Sequence, residues 1–211
     1  MVSTDSFSLA EKTVSLTEDA AVSKTEEISF ILPQRSCREL VGIFCDRPGD
    51  LYLYLGNNQV LIEAKMPEID HPEIHFLSRL IEGDYPNYQE IVPSGFQAEA
   101  EVSRADFLQA LKSGGLFANK ISEVKIVLDA KKQQVVIRAQ NQEVGESNLC
   151  LPAKIKGQAD ELSFNWRFLA EGVSQIKEKE FIFSVSQADG PALLKGKTTD
   201  DYFYLVMPLR I

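Results

Sequence analysis

The chain has 211 residues, of which 44% are hydrophobic and 25% charged; that balance excludes a disordered protein, and the length suits one large domain or two ordinary ones. A formal net charge of −9 excludes a surface that coats nucleic acid as a whole, although a local basic face is still compatible with it. Cys37, Cys45 and Cys150 are odd in number and form no C-x-x-C pair, which excludes a disulfide framework or a cysteine metal site and predicts a reducing cytoplasmic setting.

In chain order, the opening Met1-Val-Ser-Thr-Asp-Ser has no basic n-region and no apolar core, so no signal peptide is expected. No apolar run approaches the ~18 residues of a membrane span. A short apolar segment, Phe7-Ser-Leu-Ala, precedes the polar stretch Thr13 to Glu27, which reads as a surface loop. A strand, a helix and a pair of strands follow: Ile28 to Leu32, Pro33 to Phe44, Asp50 to Leu55 and Val60 to Ala64. The same order recurs at Ala98 to Val102, Ser103 to Ser113, Val124 to Leu128 and Val135 to Ala139. It recurs again at Glu161 to Phe164, Asn165 to Lys177, Phe181 to Val185 and Ala192 to Lys195. Each unit closes on one further strand: His75 to Ile81, Leu149 to Ile155, and Tyr202 to Leu209.

The helices recur roughly every 60 to 70 residues, a period that signals a structural repeat. Each opens on a residue suited to a helix start, Pro33, Ser103 or Asn165. Each carries an apolar pair at i, i+4: Cys37 with Val41, Phe107 with Leu111, and Leu169 with Val173. Such a pair predicts one narrow apolar stripe facing a sheet. Short turns between strands predict mostly antiparallel sheets, so the fold class is α+β, with about three β-α-β-β-β units and the helices on one face. Glu82 to Gly95 is turn-rich, holds two prolines, and reads as a linker between a first domain, 1–93, and a second, 94–211.

Little of the chain suggests chemistry. His71 and His75 are spaced i, i+4, but Pro72 lies between them in a segment entering a strand, and no third ligand is evident. The Gly114-Gly115 pair reads as a helix C-cap rather than a phosphate cradle. Cys150, in Leu149-Cys-Leu, reads as a buried thiol. No nucleophile elbow, P-loop or dinucleotide fingerprint is present, so an enzyme is not expected, nor a cofactor or metal. The basic residues of the helices, Arg35, Arg38, Arg104, Lys112, Arg167 and Lys177, suit an ordinary solvated face. Their recurrence on equivalent helices also suits a weak basic stripe that holds a phosphate backbone without reading bases. Trp166 and Phe168, with the apolar C-terminal strand, suit either core packing or a hydrophobic groove.

Four segments carry a resemblance. Leu80-Ile-Glu-Gly-Asp-Tyr-Pro-Asn-Tyr with Ile91-Val-Pro closely resembles the interdomain segment of the bacterial sliding-clamp family, the beta subunit of DNA polymerase III. Tyr204-Leu-Val-Met-Pro-Leu-Arg-Ile211 resembles that family's C-terminus. Ser3-Thr-Asp-Ser-Phe-Ser-Leu-Ala10 resembles its A-T-D-G-H-R-L-A motif, and Ser163-Phe-Asn165 the opening of its last inner helix. The resemblance covers essentially the whole chain in order. Chains of this family have three domains of two repeat units each, and two chains close head to tail into a ring around duplex DNA. It implies that this chain matches one unit of the central domain and both units of the last.

The resemblance further implies a non-enzymatic processivity factor whose groove takes short peptides from the DNA polymerase III alpha subunit, the clamp loader and other clamp-motif proteins. One wall of that groove is Thr4, Ser6, Phe7, Ser8, Leu9, Pro86, Glu90 and Ile91. The other is Ile121, Asn165, Phe168, Asp189, Pro191 and the terminal residues Leu205, Val206, Met207, Pro208, Leu209, Arg210 and Ile211. Arg35, Arg38, Arg104, Lys112 and Arg167 would face double-stranded DNA in the intact ring. Leu116, Phe117, Glu143 and Glu146 would form the ring interface, although the usual ring dimer is not expected of this chain alone. No membrane partner is implied. Ser6-Phe7-Ser8 stands where the family has Gly-His-Arg, Glu90 where a basic residue is common, and Asp189 and Pro191 where residues are small or apolar. These changes lower the expected affinity for peptides with acidic flanks. An alternative reading is a free-standing peptide-binding module that competes with the full clamp and encircles no DNA.

Overall fold

The computed structural model describes residues 1–15, 28–66, 71–159, 161–187 and 189–210. Most of the expected Thr13 to Glu27 loop, and Ile211, lie outside the described residues. The elements in chain order are β1 (Val2–Thr4), β2 (Ser8–Lys12), α1 (Gln34–Phe44), β3 (Leu51–Leu55), β4 (Gln59–Lys65), β5 (Pro72–Arg79) and a 3-10 turn (Tyr88–Ile91). There follow β6 (Ala98–Ser103), α2 (Arg104–Gly115), β7 (Glu123–Asp129), β8 (Gln134–Asn141), β9 (Gly145–Gly157), β10 (Leu162–Asn165), α3 (Trp166–Ser174), β11 (Glu180–Val185), β12 (Ala192–Gly196) and β13 (Tyr202–Val206).

The chain divides into two compact units, Met1–Glu18 with Tyr88–Ile211, and Asp19–Asn87. The division does not follow the expected boundary at residue 93. The first two strands join the sheet built by the end of the chain, because β2 pairs antiparallel with β13 from Leu9↔Leu205 to Lys12↔Tyr202.

The first unit is a ten-stranded sheet in the order β1-β2-β13-β12-β11-β6-β9-β8-β7-β10, and every pairing in it is antiparallel. Alternate residues of its strands, such as Ala98, Ala100 and Val102, turn into the core where α2 and α3 pack. The expected stripes are in place: Phe107, Leu111, Leu169 and Val173 are all fully buried. Ser103 caps α2 through the Asp106 amide, and Asn165 caps α3 through the Arg167 amide at 3.0 Å.

Gly114 and Gly115 do not form the expected C-cap. Both are helical, and Leu116 ends α2 in the right-handed conformation. A Cβ on Gly115 would lie 2.6 Å from the Trp166 ring, so this glycine is required by the close approach of α3. The third helix ends at Ser174, short of the expected Lys177, in tightened turns such as Ile176 N to Val173 O. The last strand ends at Val206 rather than Leu209, since Pro208 has no N–H to give a ladder. Cys150 is exposed, contrary to expectation, because β9 turns it to the solvent face between the half-buried Leu149 and Leu151.

The second unit is a three-stranded antiparallel sheet, β3-β4-β5, with one helix. Its centre is Val60 and Ile62 on β4. Here the expected stripe is reversed. Cys37 and Val41 face solvent, Val41 at 64% exposure, and the half-buried side of α1 is Ser36, Leu40, Ile43 and Phe44. Ser36 and Ser78 share a hydroxyl hydrogen bond of 2.7 Å under that side. Only one residue of the expected Ile28 to Leu32 strand pairs: Ile31 bridges Ile81.

Candidate functional site

The two ends of the first unit meet in one place. After β1 the chain turns sharply, and Asp5 organises the turn by accepting from the Phe7 amide at 3.0 Å and from the amide and hydroxyl of Ser8 at 2.7 and 3.0 Å. Burial works against ionisation of this carboxyl, but those hydrogen bonds outweigh it and hold the Asp5 pKa below its ordinary value. Thr4 donates its hydroxyl to Ser8 O at 2.7 Å. Ser6 sits at φ 73°, in the left-handed region that favours glycine. The turn projects Phe7 outward at 61% exposure.

Beyond β13 the chain continues as an extended tail held on both sides. The Met207 amide donates to Phe7 O at 2.9 Å, and the Leu209 amide to Ser163 O at 2.7 Å. The Phe7 ring stacks on Phe168, from the first turn of α3, with centroids 6.2 Å apart. The Thr4–Ser8 turn, the start of α3 and the tail Met207–Leu209 therefore meet at one surface. Asn165 uses its side-chain oxygen as the α3 cap, and its amide nitrogen has no partner among the described residues.

Several expected wall residues lie in the two cores instead. Leu9, Leu205 and Val206 are buried, and Leu9 and Leu205 face each other across β2 and β13. With Leu193 they make a small second core against which Val2, Tyr88, Val92, Phe96 and Phe203 pack. Ile91, in the 3-10 turn, and Ile121 are exposed, and the residue after Ile121, Ser122, accepts from the Trp166 amide at the start of α3 at 3.0 Å. Pro191 is half-buried and accepts the Ser186 hydroxyl. Arg210 is exposed, and Pro86 belongs to the other compact unit. Four participants escape reasoning from sequence. Asp5 is legible only as an Asp two residues before a turn amide. Tyr88, Val92 and Phe96 are hidden inside a segment whose prolines and glycines read as linker.

Arg104 is half-buried on α2, while Lys112, Arg167 and, on α1, Arg35 and Arg38 are exposed. None of the five makes an ion pair among the described residues, although the chain is acidic overall. The Arg167 guanidinium lies 4.9 Å over the Trp166 ring. At another edge, Leu116 is exposed and Phe117 packs partly on the core. The Asn141 side chain donates to Ala118 O at 3.0 Å and so ties the β8–β9 hairpin, with the exposed Glu143 and Glu146, to the segment after α2. The concave surface there, about 880 Å³, is lined by both signs of charge, and Glu161 bridges Lys125 and Arg138.

His71 and His75 flank the start of β5 rather than sharing a helix face, and His75 Nε2 lies 2.7 Å from Glu63. No group of three metal-ligating side chains occurs among the described residues. No described helix is long and apolar enough to cross a membrane.

Comparison with known proteins matches this geometry to one family. The family models for the DNA polymerase III beta subunit match in two consecutive pieces, the central domain over residues 1–87 and the C-terminal domain over residues 89–210. A beta sliding clamp from Synechococcus elongatus is 27% identical over 198 residues, covering 92% of this chain and 51% of that protein. One from Streptococcus pneumoniae is 24% identical over 211 residues, 99% of this chain and 53% of that protein. Among solved structures, a DNA polymerase sliding clamp from Bacillus subtilis has a TM-score of 0.89 at 24% identity, over 100% of this chain and 53% of that one. Another from Pseudomonas aeruginosa has a TM-score of 0.86 at 23% identity, over 100% and 54%. The chain spans about half the length of the curated relatives it matches. The α+β fold, with repeated antiparallel units, is the sliding-clamp fold.

Proposed function

The chain belongs to the DNA polymerase III beta subunit family, and from that membership we propose that it carries the clamp's peptide groove, acting without catalysis as part of a processivity factor in replication. The observation that carries this reading is the stack of Phe7 on Phe168 beside a half-exposed tail. The exposed Phe7 ring against the half-buried Phe168 suits the Leu and Phe anchors of a short linear peptide. The Asn165 side-chain amide, without a partner among the described residues, would bond the peptide backbone. The partners on this reading are the polymerase III alpha subunit, the clamp loader and other proteins bearing clamp motifs, met in the cytoplasm. Residues 1–93 are the second half of a central domain and 94–211 a C-terminal domain.

Within an intact ring, Arg35, Arg38, Arg104, Lys112 and Arg167 would meet the phosphates of duplex DNA without sequence preference. Leu116, Phe117, Glu143 and Glu146 would meet the neighbouring subunit. A second reading is favoured by one feature: both groove walls, Pro86 aside, belong to a single compact unit. Peptide capture then needs no ring, and the chain would act as a binding module that competes with a full clamp.

Fluorescence polarisation with a labelled clamp-motif peptide tests the groove. The full chain should bind, and a variant lacking residues 207–211 should bind at least tenfold more weakly. Equal binding by the two would sink the assignment. Retention on circular DNA that is lost on linearisation separates the two readings, because only a closed ring gives it.

A further inference from the structure

Four strands leave the ten-stranded sheet at one end. Val185, Ala192, Val206 and Ser8 form a single row across β11, β12, β13 and β2. Beyond that row lie the turn joining β11 to β12, the tail after β13 and the Thr4–Ser8 turn before β2. Each of the two turns carries a carboxylate. Asp189 sits in a turn closed by two bonds of 2.9 Å, the Gly190 amide to Gln187 O and the Ser186 hydroxyl to Pro191 O. Asp5 is fixed by the Phe7 and Ser8 amides and the Ser8 hydroxyl, all on its Oδ1. Both carboxylates are exposed, and Asp5 is two residues from the Phe7 ring.

Elsewhere on the same sheet carboxylates are matched by cations. Glu101 meets Lys154 and Lys197, Glu161 meets Lys125 and Arg138, Asp201 meets Lys12, and Asp200 meets Lys195. Asp5 and Asp189 have no cationic partner among the described residues. The tail brings one cation, the exposed Arg210. Two other basic residues near the start of α3 are directed elsewhere. Arg167 lies over the Trp166 ring and donates from Nε to Ser122 Oγ, and Lys120 lines the concave surface shared with Glu143 and Glu146. In a chain of net charge −9, unmatched carboxylates on exposed turns leave a negative local field, which draws basic groups in and holds acidic ones off.

We propose, on the basis of the groove reading, that the peptide taken at this surface carries Lys or Arg beside its apolar anchors. The Phe7–Phe168 pair receives an anchor, and the two turns receive the basic flank. Asp5 and Asp189 are then the residues that discriminate between peptides, because apolar anchors are common to acidic, neutral and basic ones. Charges at a rim set selectivity and association rate more than total affinity, so the preference should be moderate and sensitive to salt.

Three labelled peptides with the same Leu and Phe anchors and flanks of Lys, Gln or Glu test this by fluorescence polarisation on the full chain. At low salt the Lys-flanked peptide should bind about threefold to tenfold more tightly than the Gln-flanked one, and the Glu-flanked one more weakly than either. High salt should narrow the spread. Asp5→Asn with Asp189→Asn should bring the three together. Asn keeps an oxygen for the turn amides, and far-UV circular dichroism checks the fold. Should the double variant lose structure, Asp189→Asn alone serves, since that side chain accepts no hydrogen bond among the described residues. Asp46→Asn, the same change of charge in the other compact unit, should leave the spread as it is. Peptides that bind with no preference for Lys over Gln, or a spread that survives the Asn variants, would overturn the inference and leave the groove standing. Absence of binding by all three, or equal binding by a chain lacking residues 207–211, would overturn both.

Discussion

The rings of Phe7 and Phe168 lie nearly parallel, inclined by 15° with centroids 6.2 Å apart, although one residue comes from the first turn of the chain and the other from its last helix. Phe7 is exposed and Phe168 half-buried, so the pair borders the solvent. Phe168→Ala should weaken a clamp-motif peptide tenfold or more in a polarisation titration, the size of an interface hot spot, about 1.4 kcal/mol or above. An unchanged dissociation constant would remove Phe168 from the groove.

Ser6 holds a φ of 73° in the position where the family motif has glycine. A side chain in the left-handed region costs roughly 1 kcal/mol relative to glycine. Ser6→Gly should therefore raise the urea midpoint, by about 0.5–1 kcal/mol of stability. A lower midpoint would mean that the hydroxyl contributes more than the strain costs.

Two glycines answer oppositely to the same substitution. Gly172 lies against the Tyr204 ring, and an added Cβ would collide with it; Gly172→Ala should cost about 1–3 kcal/mol. Gly42 is inside α1 with nothing within 4 Å of its would-be Cβ, so Gly42→Ala should stabilise by about 0.5–1 kcal/mol. Chemical denaturation of both variants checks the pair, and a common sign would refute the account of Gly172.

Burial pushes the Tyr204 hydroxyl up to about 12, and it pushes that of Tyr202 up as well. Tyr202 also donates to Gly172 O at 3.2 Å. A raised pKa favours the neutral phenol in the folded state. The stability it contributes is complete below pH ~10, the unfolded value, and is lost as pH rises towards 12. The protein should unfold in that alkaline window, and Tyr204→Phe should move the transition to higher pH. Phenolate absorbance and circular dichroism recorded on the same titration should change together; phenolate formation without unfolding would contradict it.

Weak binding to duplex DNA at low salt should fall when Arg104, Lys112 and Arg167 are replaced by Ala, and the salt slope should shrink by roughly 0.9 for each phosphate that is no longer neutralised. Lys131→Ala with Lys132→Ala, in the β7–β8 turn, is the control and should change neither. Equal weakening in the two variants would mean that no face is preferred.

Much of the fold is legible because alternation and helix spacing act locally. The caps Ser103 and Asn165, the buried pairs Phe107–Leu111 and Leu169–Val173, and the short antiparallel turns all follow from neighbouring residues. The stripe Cys37–Val41 misleads because apolar spacing marks a face that can be buried, not one that is. Gly115 reads as punctuation, since nothing near it in sequence announces Trp166. The site is legible only through resemblance: Phe7, Phe168 and Met207 are brought together by strand order, which no periodicity encodes. Leu205 and Val206 match the family's groove wall by resemblance, yet both are buried, Leu205 in the small core with Leu9 and Val206 in the main one.

The pairing of β2 with β13 also sets an order of assembly. Ser8–Lys12 and its hydrogen-bonding partner Tyr202–Val206 come from opposite ends of the described residues. The α1-β3-β4-β5 segment needs only near neighbours. Long-range strand pairing is intrinsically slow. The smaller unit can therefore form early, while the sheet of the larger one waits for two distant segments to meet.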